Sequence, residues 1–229
     1  MQRLQEGGRQ SMGGFTNYAL DRYLAPEVSR FTSAEIPDTS DYDPESASWL
    51  ASHFRYTVLR GHFAPPVDAL AFNYLRRAEG AFSEHANARL ATLDFLARDR
   101  PSPSLYSAAL LHWEFYLAQA WQGYELLRRL PDETRTTPLK VFRPGDGSVV
   151  QRLHALYNSM KHVENRITTP GQILEEATVP VWLTNAGLKS TDATLSYEET
   201  GEILRDLAKW ANLLVDPTTM GEKAKQYVV

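Results

Sequence analysis

Hydrophobic residues recur at helical spacing along most of the chain. From Val67 to about Arg98 they return near every third or fourth position with no internal proline, which predicts a long helix. The segment from Leu105 to Leu130 is almost continuously apolar, which is typical of a helix at the centre of a bundle. Its aromatic residues are therefore expected in the core: Trp113, Tyr116, Trp121 and Tyr124.

A shorter helix is predicted between Asp43 and Gly61. Asp43 is a suitable N-cap, Pro44 is favoured at the first helical position, and Gly61 is favoured just beyond the last one. Four residues of this segment share one side of a helix, and this side is expected to face the core: Leu50, Phe54, Thr57 and Val58.

Capping residues also delimit the last predicted helix. Ser196 and Glu199 have the spacing of a capping box, and Pro217 follows the segment. One apolar stripe is expected to pack on the core: Ile203, Leu207, Trp210 and Leu214. One more short helix is predicted near residues 17–24.

The segment before the last helix predicts a small β element, and with it the fold class can be predicted. Residues 178–196 carry β-branched side chains around an Asn-Ala-Gly turn, which favours a small β-hairpin, with Pro180 restricting it to a sheet edge. The sequence therefore predicts an all-α fold, a bundle of about five helices with a small β-hairpin excursion. We expect one helical domain over residues 15–217, a flexible tail at 1–14 and a second tail at 218–229.

The amino-acid composition limits which kinds of site the protein can contain. The chain has 229 residues, of which 43% are hydrophobic, and this is enough for a packed core. The formal net charge of −4 argues against a surface coated with phosphate-binding charge, so nucleic-acid binding must be argued from a local patch. With no cysteine, the chain has no disulfide, thiolate nucleophile or cysteine-type zinc site.

The apolar run at 105–127 is long enough to span a bilayer. Five polar residues within it would be costly in hydrocarbon: His112, Glu114, Gln119, Gln122 and Glu125. We therefore expect a buried helix, no membrane contact and a cytoplasmic protein. A charge inside so apolar a helix also predicts that His112 and Glu114 each have a partner or face a cleft.

A candidate site lies on the predicted helix over 149–167, which Ser148 or Asp146 is expected to cap. An apolar seam along one side is expected to bury it: Val149, Leu153, Leu156, Met160, Val163 and Ile167. The opposite side carries His154, Asn158 and His162, with Lys161 beside them, and is expected to face water or another protein.

Three interpretations of this polar side differ in their chemistry. It is a solvated helix face, a metal site, or a site for acid–base or phosphate chemistry. Metal binding is disfavoured because the two histidines lie two turns, about 12 Å, apart. Histidine titrates near neutral pH, lysine offsets phosphate charge, and asparagine orients a ribose or a neighbouring imidazole. No cofactor motif is present, so no cofactor is expected.

The stretch "YNSMKH", after a glycine-containing turn, resembles the motif helix of the HEPN (higher eukaryotes and prokaryotes nucleotide-binding) superfamily. Asn158 and His162 match the Asn-x-x-x-His part of that motif, whereas Tyr157 stands where ribonuclease members carry arginine. The resemblance implies an all-α bundle, a homodimer, and metal-independent cleavage of RNA in which the ribose 2′-hydroxyl is the nucleophile. Loss of the arginine removes a donor for charge that develops on phosphate.

The resemblance and the local charges together define the expected site. His162 and Asn158 are the candidate catalytic residues. Five residues of the same helix are candidates for RNA or nucleotide binding: Lys161, Tyr157, His154, Arg152 and Arg166. The alternative is a non-catalytic interaction module, immunity-like or regulatory, in which the polar side is an interface with a protein partner.

Overall fold

The computed structural model describes residues 17–130, 141–169 and 178–218. Within these ranges the protein is mostly helical, with a small three-stranded antiparallel sheet. Residues 17–23 form helix α1, and a short 3-10 helix covers Val28–Arg30. The predicted tail at 1–14 and nearly all of the predicted tail at 218–229 lie outside the described residues, so both remain predictions.

Helices α3 and α4 form the central pair. Helix α3 spans Val67–Leu96 and α4 spans Pro103–Arg129, close to the predicted limits. The N-cap of α4 is Ser102, whose hydroxyl accepts from the amide of Leu105. The two helices are antiparallel, because Arg77 bonds to Gln119 at 2.9 Å whereas Thr92, further along α3, accepts from Trp113, which lies earlier in α4.

The apolar character of α4 reflects burial inside the protein. Its four predicted core aromatics, Trp113, Tyr116, Trp121 and Tyr124, are all buried, which confirms their assignment to the core. No helix in the described ranges is both long enough and apolar enough to cross a bilayer.

Helix α7, Tyr197–Leu214, packs on the α3–α4 pair. It begins with the predicted capping box, in which the Ser196 hydroxyl accepts from the Glu199 amide and the Glu199 carboxylate accepts from the Ser196 amide. Buried tyrosines of both central helices donate to its backbone carbonyls. The hydroxyl of Tyr74 donates to Leu207 and that of Tyr116 to Thr200, each at 2.8 Å. These bonds satisfy hydroxyls that have no access to water.

The predicted hairpin is part of a larger sheet. Strands β1 (Trp182–Thr184), β2 (Gly187–Lys189) and β3 (Thr194–Ser196) are antiparallel in the order β1-β2-β3. The β1–β2 turn falls at the predicted Asn-Ala-Gly sequence. Gly187 is required there, because its φ is +152° and a Cβ atom would lie 2.1 Å from the carbonyl oxygen of Leu195.

Helix α2 differs from its sequence-based prediction in both start and orientation. It spans Trp49–Arg60 and begins five residues after the predicted first position, because residues 43–48 form turns instead. Its buried residues are Trp49, Ser52 and His53, whereas Phe54 and Val58 are each 68% exposed. The predicted core side was therefore wrong for Phe54 and Val58, whereas Leu50 and Thr57 are half-buried. The buried side is set by contacts to α3 and α7: the Trp49 ring lies 5.5 Å from that of Phe82, and its indole N–H donates to Asn212 at 2.7 Å.

A polar chain crosses the core between α3 and α7. His85 is fully buried, with Thr39 3.4 Å from Nδ1 and Thr200 3.0 Å from Nε2. The Thr200 hydroxyl donates to the Tyr197 carbonyl at 2.6 Å, so it accepts a hydrogen bond from the N–H at Nε2 of His85. Nδ1 is then left to accept from Thr39. All polar groups of a neutral His85 are satisfied in this arrangement.

Candidate functional site

Helix α5 carries most of the predicted site residues. It spans Val149–Lys161, and its N-cap is Ser148, as predicted, with the hydroxyl accepting from the Gln151 amide at 3.2 Å. The preceding turn is held by the carboxylate of Asp146, which accepts from the amides of Arg143 and Ser148. The start of the helix is therefore determined by local hydrogen bonds.

The predicted seam faces the protein interior. Leu153 and Leu156 are fully buried, and Val149, Met160 and Val163 are half-buried. Ser159, which was not predicted to face inward, is also buried and donates its hydroxyl to the Ala155 carbonyl. The side chain of Ile167, the last residue of the predicted seam, lies outside the described residues.

A pair of substitutions at the end of this helix tests its orientation. We expect Met160→Asp to lower the free energy of unfolding by about 1–3 kcal/mol, because it places a carboxylate on the half-buried seam. Lys161→Ala is expected to change it by less than about 0.5 kcal/mol, because Lys161 is exposed. Urea unfolding followed by circular dichroism measures both, and equal losses would contradict this orientation.

His162 lies at a break between two helices. Helix α5 ends at Lys161, and a short helix α6 runs over Val163–Thr168. The backbone of His162 is non-helical, with φ −113° and ψ 32°, so His162 is the C-cap of α5 and the predicted continuous helix over 149–167 is divided in two. Its amide still donates to the carbonyl of Asn158 at 3.2 Å. Lys161 and His162 are both exposed.

His154 packs within the protein rather than facing water or a partner as predicted. Its ring centroid lies 4.2 Å from that of Trp121 on α4 and 5.2 Å from that of Phe142. This partial burial lowers the pKa of His154; Arg128 lowers it further, while Glu125 opposes the shift. The imidazole is therefore neutral at pH 7.

Asn158 orients His154. The amide nitrogen of Asn158 lies 2.9 Å from Nε2 of His154, and because an amide NH₂ is only a donor, Nε2 accepts. The proton of the neutral ring is then on Nδ1. Tyr157 lies on the same side of the helix, with its ring centroid 6.3 Å from that of Trp121. His154, Tyr157 and Asn158 thus form one cluster over Trp121.

Arg152 is directed away from this cluster. It lies two residues before His154, about 200° around the helix, and forms an ion pair with Glu199 of the α7 capping box. It also donates to the carbonyl of Thr194 in β3 at 3.3 Å. The structure therefore does not bring Arg152 together with Lys161 and His162. The side chain of Arg166 lies outside the described residues.

The two polar residues of α4 that were expected to have a partner or to face a cleft, His112 and Glu114, have different environments. His112 has the expected partner, because its Nδ1 lies 2.8 Å from the carboxylate of Glu84 on α3. Glu114 has no hydrogen-bond partner among the described residues, and burial raises its pKa. Neither residue contacts the α5 cluster directly in the described part of the chain.

Sequence reasoning missed the aromatic support of this site. Trp121 was assigned to the core and His154 to the surface, although the two rings are in contact, with an interplanar angle of 34°. The only sign of this contact in the sequence was Phe142, which lies shortly before α5 and packs on both rings. Its position does not indicate that a ring of α4 lies against His154. In the described ranges, no three histidine, aspartate or glutamate side chains cluster closely enough to hold a metal ion.

Comparison with known proteins gives no independent assignment. No protein-family model, curated protein or solved structure matches the chain. The resemblance of residues 157–162 to the HEPN motif therefore stays a prediction, as does the homodimer that it implies.

Proposed function

We propose that the C-terminal end of α5 binds RNA or a nucleotide as a HEPN-like site with a degenerate motif. The observation that carries this proposal is the exposed pair Lys161 and His162, one turn beyond the mutually bonded Asn158 and His154. Lys161 forms no ion pair with the described residues, so its charge is available to a phosphate. The adjacent imidazole offers ring nitrogens that can accept or donate a proton.

In this proposal each residue has a distinct role. Lys161 contacts a phosphate, and His162 acts as the acid–base group in cleavage next to the ribose 2′-hydroxyl. Asn158 is a positioning residue, since its amide is already bonded to His154 and sets the tautomer of that ring. Tyr157 stands where ribonuclease members of the superfamily carry arginine. The negative charge that develops on the phosphate therefore lacks the hydrogen-bond donor that this arginine would supply. Binding is therefore expected to be retained better than cleavage.

The test measures binding and cleavage separately. Labelled single-stranded RNA is incubated with the protein and a metal chelator, and products are resolved by gel while binding is followed by fluorescence anisotropy. We expect His162→Ala to abolish any cleavage and to change binding by less than about threefold. Lys161→Ala is expected to weaken binding and to reduce its salt dependence by the contribution of one phosphate contact.

A matched control uses a second exposed histidine. His62 lies just after α2, is exposed as His162 is, and takes no part in the proposed site. His62→Ala should therefore leave both binding and cleavage unchanged. The proposal is wrong if the protein neither binds nor cleaves RNA, if Lys161→Ala binds RNA as tightly as the natural chain, or if the protein cleaves RNA and the two histidine variants cleave it alike.

A non-catalytic interaction module is the second candidate, and exposed residues of α2 favour it. Phe54 and Val58 are 68% exposed and lie one turn apart, and Leu59 is 78% exposed. Apolar side chains grouped on one short helix mark surfaces that meet other proteins. In this case His162→Ala would be without effect, and Phe54→Glu would disrupt capture of the partner while leaving the fold intact.

A further inference from the structure

A groove lies between the loop at residues 38–47 and one side of α3. Its volume is about 550 Å³, which is within the range of sites that bind small ligands. Six residues of α3 line it, at positions that share one side of a helix: Glu79, Phe82, Ser83, Ala86, Arg89 and Leu90. The small side chains of Ser83 and Ala86 are exposed and leave the space open. No described residue of α5 lines this groove.

Apolar side chains cover much of the groove surface. Phe82 is 7% exposed, and its ring packs edge-on against the buried ring of Trp49 at 5.5 Å. Leu90 is 62% exposed, so most of its side chain is available to a ligand. The hydroxyls of Ser46 and Ser83 also line the groove and make no hydrogen bond within the described part of the chain. A ligand here therefore meets apolar groups together with hydroxyls that can bond to amides.

Opposite charges stand at the two ends of this side of α3. Glu79 lies at one end, and a single one of its carboxylate oxygens bonds to a described residue, accepting from the Leu50 amide at 2.7 Å. Arg89 lies ten residues further on, about 15 Å along the helix axis. Its Nε donates to the Ile36 carbonyl and its Nη2 lies 3.5 Å from Asp38, whereas its Nη1 has no partner among the described residues. Each end thus keeps hydrogen-bonding capacity on a charged group.

These charges and their separation select the class of ligand. A carboxylate oxygen accepts from an ammonium group, and a guanidinium donates to a carboxylate. A single amino acid is too short to reach both ends, because its two charged groups are bonded to the same carbon. An extended peptide advances about 3.3–3.6 Å per residue, so three or four residues span the distance. A polyanion such as RNA is disfavoured, because Asp38 and Glu79 outnumber Arg89 in the groove.

We propose that this groove binds a short peptide with free termini, its ammonium group at Glu79 and its carboxylate at Arg89. Three or four residues fit, with apolar side chains against Phe82 and Leu90. The ion pair of Arg89 with Asp38 does not prevent this, because Asp38 is 62% exposed and water screens so open a pair. The proposal rests on α3 and the loop before α2, and it is independent of RNA binding by α5.

Isothermal titration calorimetry with modified peptides tests both ends of the groove. The probes are Leu-Ala-Leu and Leu-Ala-Ala-Leu, each with free termini, with an acetylated N-terminus and with an amidated C-terminus. We expect at least one free peptide to bind. Acetylation should weaken its binding about tenfold or more, because it removes the charge that Glu79 recognises. Amidation should weaken it to a similar extent, because it removes the charge that Arg89 recognises.

Three variants assign these effects to the groove. In Glu79→Gln the amide oxygen can still accept from Leu50, but the negative charge is lost. The free peptide should therefore bind to this variant as weakly as its acetylated form, and acetylation should have no further effect. Ala86→Trp fills the groove from an exposed position and should abolish binding of every form. Glu202→Gln removes an exposed carboxylate on α7, outside the groove, and should leave binding unchanged.

Several results would overturn the proposal. One is that neither free peptide binds with a dissociation constant below about 1 mM. Another is that the acetylated and amidated forms bind as tightly as the free peptide, since the charged ends would then not be recognised. Binding that survives in Ala86→Trp, or that Glu202→Gln weakens as much as Glu79→Gln does, would place the peptide elsewhere on the protein.

Discussion

Replacing Trp113 by alanine is expected to lower the free energy of unfolding by about 3–5 kcal/mol, which is the cost of removing a fully buried indole. The ring lies 5.3–5.7 Å from those of His85, Tyr116 and Tyr197, and so it joins α3, α4 and α7. Its N–H also donates to the hydroxyl of Thr92 at 3.0 Å, and this hydroxyl would lose a partner.

Denaturant unfolding measures this cost against two related variants. Trp113→Phe keeps an aromatic ring but loses the N–H, so it should be destabilised by less than the alanine variant. Leu90→Ala removes a side chain that is 62% exposed on α3 and should cost less than about 1 kcal/mol. If Trp113→Ala and Leu90→Ala lost similar stability, the centre of the core would lie elsewhere.

Acid is expected to destabilise the fold through His85. The pKa of His85 is lowered from 6.5 to about 4, chiefly by burial and also by the charge of Arg89, while the charge of Asp38 opposes the shift. The unfolded chain therefore binds a proton that the folded protein excludes. The resulting stability is fully present above pH 6.5 and is lost as pH falls toward 4, with a total loss of about 3 kcal/mol from this group.

The measurement compares unfolding at pH 7, 5.5 and 4 for the natural chain and His85→Gln. Glutamine preserves hydrogen bonding but does not titrate, and all other ionisable groups are common to both proteins. The natural chain should lose about 3 kcal/mol more than the variant between pH 7 and pH 4. Parallel pH dependence in the two proteins would show that His85 does not titrate with a lowered pKa.

Helix limits that depend on local signals were predicted well. Helix α5 begins at its expected cap Ser148, and α7 begins at its expected capping box of Ser196 and Glu199. Helix α3 starts at Val67, directly after two prolines. In each case the determining hydrogen bonds or backbone restrictions lie within four residues of the boundary, so the sequence around the boundary contains them.

The orientation of α2 could not be predicted in the same way. Phe54 and Val58 are more apolar than Ser52 and His53, and periodicity alone therefore favoured the wrong side. His53 is buried because its Nδ1 lies 3.2 Å from the carbonyl of Val215 and its ring stacks on Phe63. A partner 162 residues away leaves no signal in the spacing of local apolar residues.

The candidate site was predicted only in part, again because some of its contacts are made with distant parts of the chain. The exposure of Lys161 and His162 could be predicted from the helical repeat of α5, and so could the burial of its apolar seam. The packing of His154 on Trp121 depends on how α5 crosses α4, and the ion pair of Arg152 depends on where the α7 cap lies. Catalytic and RNA-binding roles for these residues remain predictions that the experiments above address.

The contacts of α2 have a consequence for the order of events during synthesis. Its anchors are Asn212, Val215 and Asp216, which lie 156–163 residues further along the chain than Trp49, His53 and Arg60. Helices α3 and α4 have adjacent partners and are able to pair as soon as both have left the ribosome. Helix α2 emerges earlier and also contacts α3, through the 2.7 Å bond from the Leu50 amide to Glu79, but its side toward α7 stays uncovered until residue 216 is released. Ribosome-stalled chains shorter than this should therefore be cut by proteases more readily within α2 than within the α3–α4 pair.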